Sequence, residues 1–116
     1  MKFQEGNLFK PDKNTEITEL FDPPEGSKSD AVVMNLDGHH PADEGKRIVN
    51  VRSQKNYYIL EGSGTFYVGK KEHTVEEGDF VHVQENTEHA MEGEMTALIF
   101  TCPPFNPENE NLVNKN

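Results

Sequence analysis

The segment that decides the fold runs from Lys55 to His89, KNYYILEGSGTFYVGKKEHTVEEGDFVHVQENTEH. Three short apolar or aromatic runs stand out in it, YYIL, TFYV and DFVHV, and glycines punctuate the gaps at Gly62-Ser63-Gly64, Gly69 and Gly78. Short β-rich runs bounded by turn residues at this spacing predict consecutive antiparallel strands. Gly69-Lys70-Lys71 suits a tight hairpin. His89 closes the segment where one strand gives way to the next.

The pattern extends to both sides. TEITELF, from Thr15 to Phe21, alternates as a first strand, and Asp22-Pro23-Pro24-Glu25-Gly26 breaks it, since the two prolines remove backbone donors. AVVMNL over 31–36 predicts the next strand, ended by the turn pair Asp37-Gly38, with HHPADEG over 39–45 as a polar loop. KRIVNVRS over 46–53 returns as a strand. EHAMEG and MTALIFT, residues 88–101, form a last pair linked around Gly93-Glu94. No segment carries a helical apolar period. About nine or ten short strands in one small domain imply a sandwich or barrel, which also limits exposed sheet edges.

Charge narrows the partners. Against 11 basic residues stand 21 acidic ones, a formal net charge of -10 over 116 residues. Such a field repels phosphate backbones and anionic bilayers, so neither nucleic acid nor a membrane is an expected partner. The single cysteine, Cys102, excludes an intramolecular disulfide, and the N-terminal MKFQEGNLFK has no long apolar run. A cytoplasmic protein is the expectation. Cys102 lies between LIFT and two prolines with no base beside it, which reads as a small buried side chain rather than a catalytic thiol.

YYILEGSGTFYVG, then VEEGDFVHVQENTEHAM, then LIFTCPPFNPEN together resemble the small single-domain cupins over residues 31–106. The resemblance implies an all-β fold, a cupin-type double-stranded β-helix or jelly-roll barrel with little helix, holding a small molecule or a metal in its mouth. The family's second motif is Gly, five residues, Pro, one residue, Gly, two residues, His. Here it begins at Gly78 and places Gln84, Asn86 and His89 at its other positions. Asn86 is a reasonable substitute where a left-handed backbone is needed. The first motif supplies two histidines and a glutamate. Anchored on Gly62, it puts Lys55 at the glutamate position and either Ile48 and Asn50 or Val49 and Val51 at the histidine positions. Only His89 is retained as a ligand, so no metal cofactor is expected. A divalent transition metal then requires His39, His40, His82 or Glu61 to reach the barrel mouth, because such ions take three or four converging ligands. His82, between Val81 and Val83, is expected to face away from the layer those valines fill.

The ligand-binding candidates are Asn50, Arg52, Tyr57, His89 and Met91, and His89 is also an acid/base candidate because imidazole titrates near neutrality. The alternation over 47–52 admits either face as the inward one. The family pattern turns Lys55, Tyr57 and Ile59 toward the cavity, and a buried Tyr57 phenol needs a hydrogen-bond partner. Three functions remain open. One is binding of a small polar metabolite, a sugar or an organic acid, without the metal triad. A second is an isomerase, epimerase or metal-dependent oxygenase using His89 with recruited ligands. The third is a purely structural dimer. Residues 1–30 form an N-terminal arm and first strand, 31–106 the barrel, and 107–116 a polar tail with a mobile end. Phe3, Leu8, Phe9 and Phe21 supply an apolar patch for pairing in a homodimer.

Overall fold

In the computed structural model, which describes residues 7–115, the chain forms nine strands and one short 3-10 turn, Pro107–Asn109. The strands are β1 (Leu8–Asp12), β2 (Thr15–Glu19), β3 (Val32–His40), β4 (Lys46–Asn50), β5 (Gln54–Val68), β6 (Lys71–Glu76), β7 (Phe80–Val83), β8 (His89–Cys102) and β9 (Glu110–Asn114). Every pairing is antiparallel, and the strands curl into a cupin-type jelly-roll half-barrel with the order β1-β2-β3-β8-β4-β9, while β5 joins β8 to β6 and β7. No helix among the described residues is long and apolar enough to cross a membrane.

Period-two alternation decides which way each strand faces. On β5, Lys55, Tyr57 and Ile59 are buried while Tyr58 and Leu60 are exposed. On β7, Val81 and Val83 are buried and His82 is exposed, its Nδ1 2.6 Å from Asn56 Oδ1. On β4, Ile48 and Asn50 are buried and Val51 beyond it is exposed, which resolves the face that the alternation left open. Met34, Leu36, Phe66, Met91, Met95 and Ile99 join Tyr57 and Ile59 in one core, and Tyr57 meets Phe66 edge-on at 4.9 Å.

Three expectations need correction. The glycines at 62–64 and 93 do not end strands. β5 and β8 run straight through them and stay paired, with one irregularity between Ile59 and Glu61. The glycines are needed because the two backbones nearly touch there. A Cβ on Gly62 would stand 2.2 Å from the Glu94 carbonyl oxygen, and one on Gly93 (φ 138°) 2.5 Å from that of Ser63. Asp37-Gly38 likewise does not turn: β3 continues through it to His40, pairing residue by residue with β8, so His39 and His40 are strand residues rather than loop residues. The polar tail is not a loose end either. Its residues form β9, which pairs with β4 from Lys46↔Asn114 to Asn50↔Glu110. Asn86 does take the left-handed backbone, φ 59°. Of the proposed apolar patch, Leu8 and Phe9 are exposed on the edge strand β1, Phe21 is half-buried, and Phe3 lies outside the described residues.

His89 is a core histidine. It is 1% exposed, its Nδ1 donates to the Thr87 carbonyl at 3.0 Å, and its Nε2 has no hydrogen-bond partner among the described residues. Burial, reinforced by the Lys55 ammonium, pushes its pKa down to about 3.

Two outcomes follow for stability. Gly93→Ala combines a positive φ with a backbone clash and should cost about 3 kcal/mol or more. Gly69→Ala, also at positive φ but with nothing within 4 Å, should cost about 1 kcal/mol; urea denaturation giving equal losses would refute the close-approach account. For His89, the unfolded chain takes up a proton below pH 6.5 and the folded chain only near 3. Stability is therefore complete above 6.5 and drains away as pH falls, by about 3 kcal/mol at pH 4 from this group. His89→Gln removes that share, so its stability should vary less steeply between pH 7 and 4 than that of the wild type, as read by urea midpoints across the range.

Candidate functional site

The inward faces of β2, β3, β4, β5 and β8 open onto a cavity of about 990 Å³. Ile17, Met34, Ile48, Tyr57 and Ile99 make its apolar floor, and the proline-rich segments around 21–27 and 103–107 form its rim. Two charged pairs stand in the wall, each joining residues distant in sequence.

The first is Asp12 with His40. Strand β3 turns His40 inward, two residues beyond Gly38 and on the same side as Leu36. Its Nδ1 lies 2.5 Å from Asp12 Oδ2. The carboxylate also accepts from the backbone N–H groups of Asn14 (2.9 Å) and Ala42 (3.1 Å) and from the Thr15 hydroxyl (2.8 Å). Burial alone would raise the Asp12 pKa, but the hydrogen bonds from His40, Thr15 and Asn14 outweigh it and the net shift is downward. An ionised carboxylate only accepts, so His40 Nδ1 carries the proton and Nε2 keeps its lone pair. Burial lowers the His40 pKa against the pull of Asp12, which favours the neutral ring.

The second pair is Lys55 with Glu110. β5 buries Lys55 and β9 brings Glu110 onto it, so the ammonium donates to Oε1 of the carboxylate. The Lys55 Nζ also lies 5.8 Å from the centre of the Phe105 ring. Tyr57 also lines the cavity, and burial, with the Glu110 charge, drives its pKa far up, so the phenol remains a hydrogen-bond donor. The charges of Lys55 and Glu110 both act on His40, which places the two pairs in one electrostatic site. Chemically the wall offers a base with a fixed tautomer, a buried ammonium and a neutral phenol.

The structure scatters the residues expected to bind ligand. Tyr57 and Arg52 line the cavity, Arg52 as an exposed residue after β4. His89 and Met91 lie in the core outside the lining. Asn50 is also outside it; its Oδ1 accepts from the N–H groups of Arg52 (3.0 Å) and Ser53 (2.7 Å) and shapes the turn into β5, leaving Nδ2 buried without a partner among the described residues.

The family's metal position does not fit a metal in this chain. Around His89 stand a hydrocarbon at Ile48, an amide at Asn50 and the cation of Lys55, whose charge already weighs on the imidazole. His82 and Glu61 are exposed, and only His40 of the recruits reaches the cavity. Among the described residues, one group of three His, Cys, Asp or Glu side chains brings its ligand atoms together, His39 with Glu44 and Glu92, and His89 is not part of it.

Sequence reasoning missed Asp12 and Glu110 entirely. Each lies in a polar stretch, 28 and 55 residues from its partner, with no local pattern to mark it. Lys55 carried a signal, since a lysine on the inward side of an alternating strand requires a partner.

The fold is shared with characterised proteins. Pac13, described as a unique nucleoside dehydratase, superposes with a TM-score of 0.83 at 22% identity, covering 98% of this chain and 92% of its own. Structures of substituted forms of this Streptomyces protein hold uridine. KdgF from a Halomonas species aligns with a TM-score of 0.71 at 11% identity over 89% and 91% of the two chains. Ectoine synthase from P. lautus aligns at 0.68 with 13% identity over 90% and 79%. Comparison with curated protein sequences finds no significant match. Residues 39–101, more than half of the chain, match the cupin domain family model, and with the barrel just described this chain belongs to the cupin family.

Proposed function

We propose that the cavity binds a small, neutral, hydroxylated metabolite, with a nucleoside as the favoured class, and that its wall eliminates water from that molecule by acid–base chemistry. The observation that carries the reading is the convergence of Asp12–His40 and Lys55–Glu110 on one cavity beside the Tyr57 phenol. The likeness in fold to a nucleoside dehydratase favours the substrate class and the reaction.

Charge refines the ligand. Seven carboxylates line or rim the cavity against two fixed cations, Arg52 and Lys55, and Lys55 is already paired. A phosphorylated or carboxylated ligand would meet net repulsion, so a nucleoside or sugar fits better than a nucleotide or an organic acid. The apolar floor suits the flat face of a base, and the charged wall suits ribose hydroxyls.

In the elimination, His40 Nε2 takes a proton from a carbon next to an electron-withdrawing group, and Asp12 holds the ring in the required tautomer. The C–H electrons form the new C=C bond as the neighbouring C–O bond breaks. The departing oxygen takes a proton from the Lys55 ammonium and leaves as water, and the proton on His40 returns to Lys55 through solvent. Tyr57 donates to the substrate oxygen that gains negative charge.

NMR titration with uridine should perturb resonances of Tyr57, Ile99 and their cavity neighbours. Uridine monophosphate should bind at least about tenfold more weakly, about 1.4 kcal/mol. If no nucleoside or sugar in a panel shifts the cavity resonances, the binding reading falls. His40→Asn should keep uridine affinity within about threefold while lowering turnover by about a hundredfold or more, as expected for loss of a general base. Turnover is read by mass spectrometry as loss of one water from a nucleoside oxidised on its sugar, and undiminished turnover in His40→Asn would refute the assignment of the base.

A further inference from the structure

The ladder of β3 and β8 carries a second constellation, on the side opposite His40 and Met91, which the proposed chemistry does not use. His39 and Glu92 are cross-strand partners there, and the segment after β3 brings Glu44 to them. A ring nitrogen of His39 and one carboxylate oxygen from each glutamate all lie within 4.8 Å of one another. His39 is 8% exposed, and its Nδ1 lies 2.6 Å from the Pro41 carbonyl oxygen. A carbonyl only accepts, so Nδ1 holds the proton and Nε2 presents a bare lone pair, with no hydrogen bond to it among the described residues.

A lone pair and two carboxylates gathered around one point repel each other unless something positive lies between them. The surrounding bonds are those that orient metal ligands. The backbone carbonyl fixes the imidazole tautomer, and the Tyr67 hydroxyl donates to Glu92 Oε1. That bond is the leading cause of a Tyr67 pKa pushed up to about 12. The Arg47 guanidinium, which stands against Tyr67, is engaged with other groups. It lies 5.1 Å from the centre of the Tyr67 ring and donates to the carbonyl oxygens of Lys46 (3.1 Å) and Glu44 (3.4 Å).

We propose that His39, Glu44 and Glu92 bind a divalent transition-metal ion, Zn²⁺ foremost, on the barrel face opposite the cavity. One imidazole and two carboxylates suit Zn²⁺, and Co²⁺ in its place, whereas Ca²⁺ and Mg²⁺ prefer all-oxygen shells. Donor atoms of a tetrahedral zinc site stand about 3.4 Å apart, so the group must contract slightly on binding. Glu44, exposed and without a side-chain hydrogen bond among the described residues, is the ligand able to move in. Water completes the shell. Pro41, Ala42 and Asp43 form part of the cavity wall, so an ion held by Glu44 fastens that wall to β8. The site is thus a clamp rather than a reaction centre.

Isothermal titration of the metal-free full-length chain with Zn²⁺ should give one equivalent bound per chain, and Co²⁺ should give the visible absorption of a four-coordinate site. Glu44→Gln and Glu92→Gln should each weaken Zn²⁺ binding at least about tenfold. Glu44→Gln should leave the Tm of the metal-free protein unchanged, which separates loss of a ligand from loss of fold. His89→Gln should bind Zn²⁺ as the wild type does. Absence of stoichiometric binding, binding that survives either glutamate substitution, or binding lost in His89→Gln would each overturn the proposal.

Discussion

Everything in this barrel depends on how closely β5 and β8 approach at their shared corner. The two longest strands pair from Gln54↔Cys102 to Val68↔His89. At Gly62, Gly64 and Gly93 their backbones leave no room for a side chain. The glycines let one continuous ladder bend there, so the same two strands serve both walls of the barrel. β8 also carries β3 and β4 on its other edge. The inward register of Lys55, Tyr57 and Ile59 against Ile99 and Ala97 is therefore set by main-chain hydrogen bonds, before any side chain in the site contributes.

On that frame the site is an electrostatic compromise. A chain of net charge -10 sets seven carboxylates in the wall and rim of its cavity and buries an ammonium beside them. A buried lysine without a partner would leave an uncompensated charge in the wall, and Glu110 supplies the opposite one. Glu110 can do so only because β9 pairs with β4, which gives the polar tail a structural task that its composition hides. The same lysine stands where the family pattern places a carboxylate ligand. A fixed positive charge at that position makes a second cation beside His89 unfavourable, and hydrocarbon at Ile48 and an amide at Asn50 are then acceptable neighbours.

The sequence made legible what alternation controls. β5 and β7 show the period-two pattern plainly, and the inward placement of Tyr57 and the outward placement of His82 follow from it. Glycine was the ambiguous sign, since it marks both a turn and a close backbone approach; Gly69 does the first, Gly62 and Gly93 the second. Only the partner strand distinguishes the cases. Asp37-Gly38 misleads for a similar reason, because pairing with Glu94 and Gly93 carries the strand through a dipeptide that favours turning. The charged pairs were illegible because an ion pair between distant strands leaves no trace in local composition. His89 had the reverse problem. It kept the family's position, but burial and the Lys55 cation hold its ring neutral, and surroundings are a tertiary property.

The adjacent histidines show how one strand can serve two purposes. Alternation sends His40 to the cavity and His39 to the opposite face, and the residues that follow hold both rings in place. The Pro41 carbonyl fixes the tautomer of His39, and the Ala42 N–H binds the same Asp12 oxygen that holds His40. A displacement of this short segment would disturb both imidazoles at once, and an interaction that anchors it would steady both. Glu44 lies two residues beyond Ala42, so any positive charge that draws its carboxylate toward Glu92 also tightens the backbone on which the His40–Asp12 geometry rests. These bonds tie both faces of β3 to one short segment of chain.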